Sequence, residues 1–308
     1  MNKPVATKMA VDFAGATSMI KQLTIVVPAF NEAEAIGQTM SALKSMLDSA
    51  GIDGEIVVVD DGSSDGTGDA AEAAGARVIR LGENRGYGFA LKTGIAESDS
   101  KFVAIIDADG TYPAEKIPEM LELCKTADMV VGDRGAAMKN VQWIRRPPKW
   151  VLNTLANMLA RRKIPDLNSG LRVFKRSSLE RFVQLLPDGF SFTTTITLSM
   201  ICSNLRVIYT PIEYQKRVGQ SSMRPTAFFT FILLVLRIIV FFQPLRVFMP
   251  LGGVLFTLGI AKAIYDITKM NLSESAIFGI LAALMVWSLG LIADMISRLH
   301  LRPRPHGE

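Results

Sequence analysis

Two carboxylates, Asp107 and Asp109, stand two residues apart behind the apolar and β-branched run Phe102 to Ile106 and just ahead of Gly110 and Thr111. A run of that kind reads as a strand buried on both faces. If the chain stays extended through 109, both carboxylates point to one side, and Gly110 permits a sharp turn beyond them. Hard oxygen donors so placed can share a divalent cation, since Mg²⁺ characteristically takes one or two protein carboxylates together with substrate phosphates. The same pattern alone also suits an Asp-Gly turn after a strand. The other polar residues of the chain decide between the two.

Those residues collect where successive apolar runs end. Runs at 23–27, 55–59, 77–81, 102–106 and 129–131 alternate with helix-like segments at 34–49, 68–74, 88–97 and 114–125. This is the pattern of an α/β fold with a mostly parallel, Rossmann-like sheet and crossover helices. A helix over 150–161, a strand over 171–174, a helix over 193–202 and a strand over 206–209 extend it. Pro28 to Glu32 follow the first run, Asp60-Asp61-Gly62 the second, Asn84 to Gly86 the third, the Asp pair the fourth and Asp133-Arg134 the fifth. Ligands of open α/β sheets bind outside the carboxyl ends of the strands. Five consecutive polar strand ends therefore read as one binding site.

Composition narrows the class. The 308 residues are 49% hydrophobic, with no repeat and no low-complexity tract, which excludes a disordered or repetitive chain. The net charge is +5, and basic residues bunch at Arg145-Arg146, Arg161 to Lys163, Lys175-Arg176 and in the tail at Arg298, Arg302 and Arg304. Such bunching suits phosphorylated ligands or anionic lipid. It lacks the interleaved aromatics of single-strand nucleic-acid binders, so no nucleic acid is expected. Cys124 and Cys202 form no CxxC pattern and read as reduced thiols. Residues 1–20 have no continuous apolar core and read as a flexible arm, which places the main domain, 21–222, in the cytoplasm.

Beyond Pro225 the chain becomes markedly apolar. Segments 245–267 and 275–297 approach the roughly 20 apolar residues that cross a bilayer. They read as a hairpin of two transmembrane helices, linked by 268–274. Segment 223–244 carries Arg237 near the middle of its apolar part, a costly position inside a bilayer, and is expected to lie at the interface. With two spans, the main domain and the basic tail 298–308 share the cytoplasmic side of the cell membrane, as positive-inside bias favours. Gly279 and Gly290 on the second span allow close packing against a neighbouring copy, hence a homo-oligomer.

Taken together and in order, Pro28-Ala29-Phe30-Asn31-Glu32, Val59-Asp60-Asp61-Gly62-Ser63-Ser64-Asp65-Gly66-Thr67, Asn84-Arg85-Gly86 and Asp107-Ala108-Asp109 resemble the family 2 glycosyltransferases of the GT-A fold. The likeness covers about residues 22–222 and is strongest to polyprenyl-phosphate glycosyltransferases, the dolichol-phosphate mannose synthases and bactoprenol glucosyltransferases; the hairpin resembles that of the latter. It implies that Pro28, Phe30 and Glu32 line a base and ribose pocket and that Asp60 or Asp61 accepts hydrogen bonds from the nucleotide. It also implies that Asn84 and Gly86 belong to that pocket, and that Asp107 and Asp109 hold Mg²⁺ or Mn²⁺ against the diphosphate.

Three further stretches, Gly132-Asp133-Arg134, Asp166 to Arg172 and Arg217 to Ser222, resemble other family signatures. They imply that Arg134, Arg172, Arg217 and Ser221 surround the donor diphosphate and the acceptor phosphate, a task suited to guanidinium forks. Asp65 reads instead as a helix cap, and Tyr214 and Lys216 as structural. Where relatives continue the metal motif with Gln or Asp, this chain has Thr111, which would reach a metal only through water.

The implied reaction is an inverting transfer of one sugar from a nucleotide-sugar donor, UDP-linked in preference to GDP-mannose, to a polyprenyl phosphate (undecaprenyl or dolichyl). A lipid phosphate, with a second pKa of about 6, is largely a dianion at neutral pH and needs no strong base. A hydroxyl acceptor on a glycolipid or diacylglycerol is the alternative and would need one, with Asp133 or Asp166 as candidates. A non-catalytic, membrane-tethered nucleotide-binding protein is the alternative of another class. The chain lacks the Gln-x-x-Arg-Trp motif of processive family members, which favours transfer of a single sugar.

Overall fold

The computed structural model describes residues 21–135, 164–214, 240–241, 243–269 and 273–300. In order these form β1 (Leu23–Ala29), α1 (Ala33–Ala50), β2 (Gly54–Asp60), α2 (Thr67–Ala73), β3 (Arg77–Arg80), α3 (Tyr87–Ala96) and β4 (Phe102–Ile105). A 3₁₀ turn (Ala114–Lys116) leads into α4 (Ile117–Cys124), followed by β5 (Met129–Asp133), β6 (Arg172–Lys175), α5 (Arg176–Leu179), α6 (Phe192–Cys202) and β7 (Val207–Pro211). The helices α7 (Leu245–Thr268) and α8 (Glu274–His300) follow. Every strand expected from the sequence forms, with ends shifted by at most two residues. The helix expected at 150–161, and Arg217 and Ser221, lie outside the described residues; so does all but the end of segment 223–244.

The seven strands make one sheet in the order β3-β2-β1-β4-β6-β5-β7. Only β6 runs antiparallel, to both β4 and β5. The carboxyl ends of the other six strands and the amino end of β6 therefore share one edge. The middle strand, β4, delivers Asp107 and Asp109 to the centre of that edge, and the loop entering β6 arrives beside them. Chain order reverses between β1 and β4, which makes this the crevice where ligands of doubly wound sheets bind.

Side-chain alternation along β4 builds two cores. Val103 and Ile105 join Val26, Val57, Val131 and Phe174 beneath α3 and α6. Phe102, Ala104 and Ile106 join Ile25, Val58 and Val173 beneath α1 and α4. Pro28 fits inside β1 because the ladder with β4 has already ended at Val26; a residue without an amide hydrogen is tolerated where one neighbour strand has stopped.

Helices α7 and α8, of 24 and 27 residues, are each long and apolar enough to cross a bilayer, and they leave large apolar side chains such as Leu258, Phe278 and Met285 uncovered. They pack against each other through Gly259 and Gly279, where a Cβ added to Gly259 would meet the Ile280 nitrogen at 2.9 Å. At the linking end Asp266 accepts from Lys262, from the Ser273 hydroxyl and from the Ser273 N–H at 3.1 Å, so the polar groups there satisfy one another. At the other end Phe241 and Val247 pack on the α/β core, and the Gln243 side chain donates to the Cys202 carbonyl at 3.3 Å.

Because the Gly259 contact is to backbone, a larger residue forces the helices apart. Gly259→Ile is expected to cost the full chain about 1–3 kcal/mol, the usual penalty of overpacking, read as a lower unfolding temperature in detergent.

Candidate active site

The Asp-Ala-Asp segment does not continue β4 as an extended strand. The strand stops at Ile105 and residues 107–110 form a turn, with Gly110 at φ 69°. The extended path that would aim both carboxylates to one side is therefore not taken: a phenol from α3 orients Asp107, a hydroxyl of the same loop orients Asp109, and a hydroxyl from α1 fixes the backbone between them. Tyr87, the first residue of α3, donates its phenol to Asp107 Oδ1 at 2.8 Å. Thr39 of α1 donates to the Ala108 carbonyl at 2.9 Å. Thr111, which is 2% exposed, donates its hydroxyl to Asp109 Oδ1 at 2.6 Å and its N–H to the same atom at 3.2 Å. Thr111 thus positions Asp109.

Burial first, and then the charge of Asp107, push the Tyr87 phenol well above its ordinary value, so it stays a donor. Asp107 is confined from its other side by the loop entering β6: a Cβ on Gly170 would lie 2.3–2.6 Å from the atoms of the Asp107 carboxyl group. The Gly170 N–H donates to the Tyr112 hydroxyl at 2.7 Å, which fixes that approach.

Asp107 and Asp109 are both partly exposed. Among the described residues no cluster of three or more His, Cys, Asp or Glu forms a cation cage. Two partly exposed carboxylates at one strand end suit Mg²⁺ or Mn²⁺, which complete their coordination with phosphate oxygens and water.

Around this centre the loops after β1 and β2 are stitched together. Asn31, at φ 53°, donates its N–H to the Ser63 hydroxyl and accepts from the Ser64 N–H at 3.0 Å. The Glu32 N–H donates to Thr67 Oγ1, and the Ala33 N–H to Asp65. Asp65 also accepts from the Thr67 N–H at 3.0 Å, so it satisfies the first N–H of both α1 and α2, although the cap positions themselves fall at Glu32 and Gly66 and not at Asp65. Burial would raise the Asp65 carboxyl; these hydrogen bonds, that from Thr67 foremost, bring it below its ordinary value.

Phe30 is left projecting, 45% exposed, as a flat wall beside the crevice. Pro28 is buried within β1, Glu32 is partly buried and Asn84 is exposed. Gly86, at φ 103°, opens α3. Asp60 and Asp61 are less open than expected. Asp60 is buried and accepts from the Ser63 N–H. Asp61 is buried with its two oxygens taking the Arg85 and Gly86 N–H groups at 2.8 Å each. In this structure Asp61 ties the β2 loop to the β3 loop.

The arginines divide. Arg134, beyond β5, forks onto Asp166 with Nε–Oδ2 at 2.7 Å and Nη2–Oδ1 at 2.9 Å, and its guanidinium lies 5.4 Å from the Tyr214 ring. Arg172 requires a correction. Its side chain has no solvent exposure, and its nitrogens donate to the carbonyls of Ser169 and Leu167 at 2.8 Å and to Thr197 Oγ1 at 2.6 Å. It braces the loop from beneath and makes no approach to a phosphate position.

Asp166 is no candidate base either. Burial would raise its carboxyl, but the Arg134 fork and the Asn168 N–H hold it below its ordinary value. Asp133 accepts from the Gly135 N–H at 2.9 Å.

The bracing residues Tyr87, Thr39, Tyr112, Thr194 and Thr197 escape sequence reasoning, since a lone Thr or Tyr on a helix carries no spacing signal. Thr194 donates to Asn168 in the same loop. Asn31 had a signal: an Asn within a Pro-x-Phe-Asn-Glu turn tolerates positive φ.

Residues 24–183 match the family model described as Glycosyl transferase family 2, and residues 243–299 that described as the GtrB C-terminal hairpin. A dolichyl-phosphate hexose transferase of Haloferax volcanii is 31% identical over 67% of this chain and 88% of its own length. An undecaprenyl-phosphate 4-deoxy-4-formamido-L-arabinose transferase of Edwardsiella ictaluri is 27% identical over 93% of this chain and 92% of its own. Among solved structures, glucosyl-3-phosphoglycerate synthase of Mycobacterium tuberculosis, in complex with Mn²⁺, UDP-glucose and phosphoglyceric acid, superposes with a TM-score of 0.56 at 20% identity. That superposition covers 71% of this chain and 80% of the synthase and confirms the expected fold.

The Arg134–Asp166 pair makes a pH prediction. A carboxyl held low in the folded state adds stability above the unfolded value of about 3.9, and that stability is lost as pH falls through the folded value. Asp166→Asn leaves a buried guanidinium without its counter-charge. It is expected to cost about 3–5 kcal/mol at neutral pH and to flatten the acid limb below about pH 4, as measured by denaturant unfolding across pH.

Proposed function

The chain belongs to glycosyl transferase family 2, and from that premise we propose that it transfers a single sugar from a nucleotide-sugar donor to a polyprenyl phosphate, with inversion at the anomeric carbon. The observation that carries this reading is the seating of an apolar two-helix hairpin directly on the domain whose central strand leads into the turn bearing Asp107 and Asp109. Relatives named for dolichyl-phosphate and undecaprenyl-phosphate transfer support the acceptor. The membrane hairpin holds the site at the headgroup plane, where a long-chain lipid presents its phosphate, and the basic tail favours the cytoplasmic face. A UDP-linked donor is favoured, in line with the UDP-glucose bound by the structural neighbour.

Phe30 and the stitched loops after β1 and β2 receive the nucleoside, and Asp107 and Asp109 would hold Mg²⁺ or Mn²⁺. When bound, the cation supplies charge stabilisation to the departing nucleoside diphosphate. Held by the hydroxyls of Tyr87 and Thr111 and confined by the Gly170 backbone, the two carboxylates present their oxygens without reorganisation, which is the source of electrostatic catalysis. The acceptor phosphate oxygen attacks the anomeric carbon as the diphosphate oxygen leaves. As a dianion it carries its own nucleophilic charge, which agrees with Asp166 being committed to Arg134. Arg217 and Ser221 are proposed as contacts of the acceptor phosphate.

The full chain in detergent, incubated with a panel of nucleotide sugars and undecaprenyl phosphate, tests this. Transfer from one donor is expected, abolished by EDTA, restored by Mn²⁺ or Mg²⁺, and reduced at least a thousandfold in the Asp107→Ala, Asp109→Ala double variant, about 4 kcal/mol of transition-state stabilisation. Undiminished transfer in EDTA would remove the cation from the account.

A further inference from the structure

The hydroxyl that holds Asp107 belongs to a side chain with a second contact. The Tyr87 ring stacks on Phe190, centroids 5.7 Å apart and planes 15° from parallel, while Phe190 itself is 81% exposed. An exposed phenylalanine is costly to hold in one place unless its backbone is fixed, and here it is. The Phe89 N–H of α3 donates to the Asp188 carbonyl at 3.0 Å. Lys92 donates to the Leu186 carbonyl at 3.2 Å and forms an ion pair with Asp188. Backbone meets backbone as well, since a Cβ on Gly88 would lie 2.2 Å from the Pro187 carbonyl oxygen. Segment 186–190 is thus clamped along the first turns of α3, carrying Phe190 over Tyr87.

We propose that Tyr87 is a positioning residue for the cation and diphosphate, fixing the orientation of Asp107, and that Phe190 on its clamped segment keeps the Tyr87 ring in the place this requires. The inference rests on the reading of Asp107 and Asp109 as the cation site. Tyr87 touches neither substrate nor cation; it acts through the carboxylate. A phenol has only two side-chain torsions, so stacking on Phe190 and seating in the core leave its oxygen little freedom. With Gly170 closing the other side, Asp107 Oδ1 takes the phenol hydrogen and the carboxylate plane is set before any ligand arrives. Partners of this kind typically matter 10- to 100-fold in metal affinity.

Electron paramagnetic resonance of Mn²⁺ titrated into the full chain in detergent, with UDP and separately with GDP as the probe nucleotide, reads this without turnover. Tyr87→Phe keeps the ring and its stacking and deletes one oxygen. It is expected to weaken nucleotide-dependent Mn²⁺ binding 10- to 100-fold, with unfolding temperature and metal-free nucleotide binding unchanged. Phe190→Ala is expected to weaken Mn²⁺ binding several-fold, and Phe190→Tyr, which keeps the stack, to restore it. Mn²⁺ binding by Tyr87→Phe within twofold of the unmodified chain overturns the proposal and leaves the cation site standing. If the unmodified chain with either nucleotide removes no more of the free Mn²⁺ signal than the nucleotide alone does, the site reading is overturned and the proposal with it.

Discussion

A guanidinium without access to solvent fixes the loop on which the rest of the site depends. Arg172 opens β6, which runs antiparallel to both its neighbours, and donates into the carbonyls of residues 167 and 169 and the hydroxyl of Thr197. Burial lowers its pKa, yet an arginine remains protonated in such surroundings. A cation enclosed without a carboxylate among these contacts is expensive unless its hydrogens are satisfied, and it is satisfied only while the loop keeps this one path. That path presses Gly170 against Asp107, turns Asp166 toward Arg134 and sets Asn168 against Thr194. Constraint therefore passes from the core to the carboxylates through backbone.

The opposite side of the crevice is built by a different device. The loops after β1, β2 and β3 exchange main-chain N–H groups for the side chains of Asp60, Asp61, Asp65, Ser63 and Thr67. Phe30, exempt from this stitching, is left as an open aromatic surface. On the proposed reading one rigid wall receives the nucleoside, one rigid turn meets the diphosphate, and the hairpin brings a lipid phosphate to the remaining side. Preorganisation of this kind suits a reaction whose nucleophile is already charged, because the protein then has positions and charges to supply but no proton to remove.

The sheet was legible in the sequence, since buried strands announce themselves as β-branched runs and the polar ends of Asp60, Asn84, Asp107 and Asp133 follow from them. The hairpin was legible for the same reason, in apolar length alone. The division of labour among polar residues was not. Arg172 and Arg134 occur in similar motif surroundings, yet one lies beneath a loop and the other pairs at its edge. The difference comes from the reversed direction of β6, which no local pattern encodes. Tyr87 and Thr39 were hidden for a related cause: a hydroxyl that reaches the Asp107 carboxylate or the Ala108 carbonyl from another element is defined by tertiary distance, whereas Thr111 braces Asp109 locally, two residues away. Thr111 in particular read as a gap in the metal motif and is a brace for Asp109.

The central claim is that a lipid phosphate, and not a lipid hydroxyl, receives one sugar. Mass spectrometry of products formed by the full chain from matched acceptors, undecaprenyl phosphate, undecaprenol and diacylglycerol, tests it most directly. The account predicts a single added sugar on the phosphate, labile to mild acid as a glycosyl phosphate, and none on either alcohol. Sugar on undecaprenol or diacylglycerol, or a ladder of several sugars on the phosphate, would contradict it.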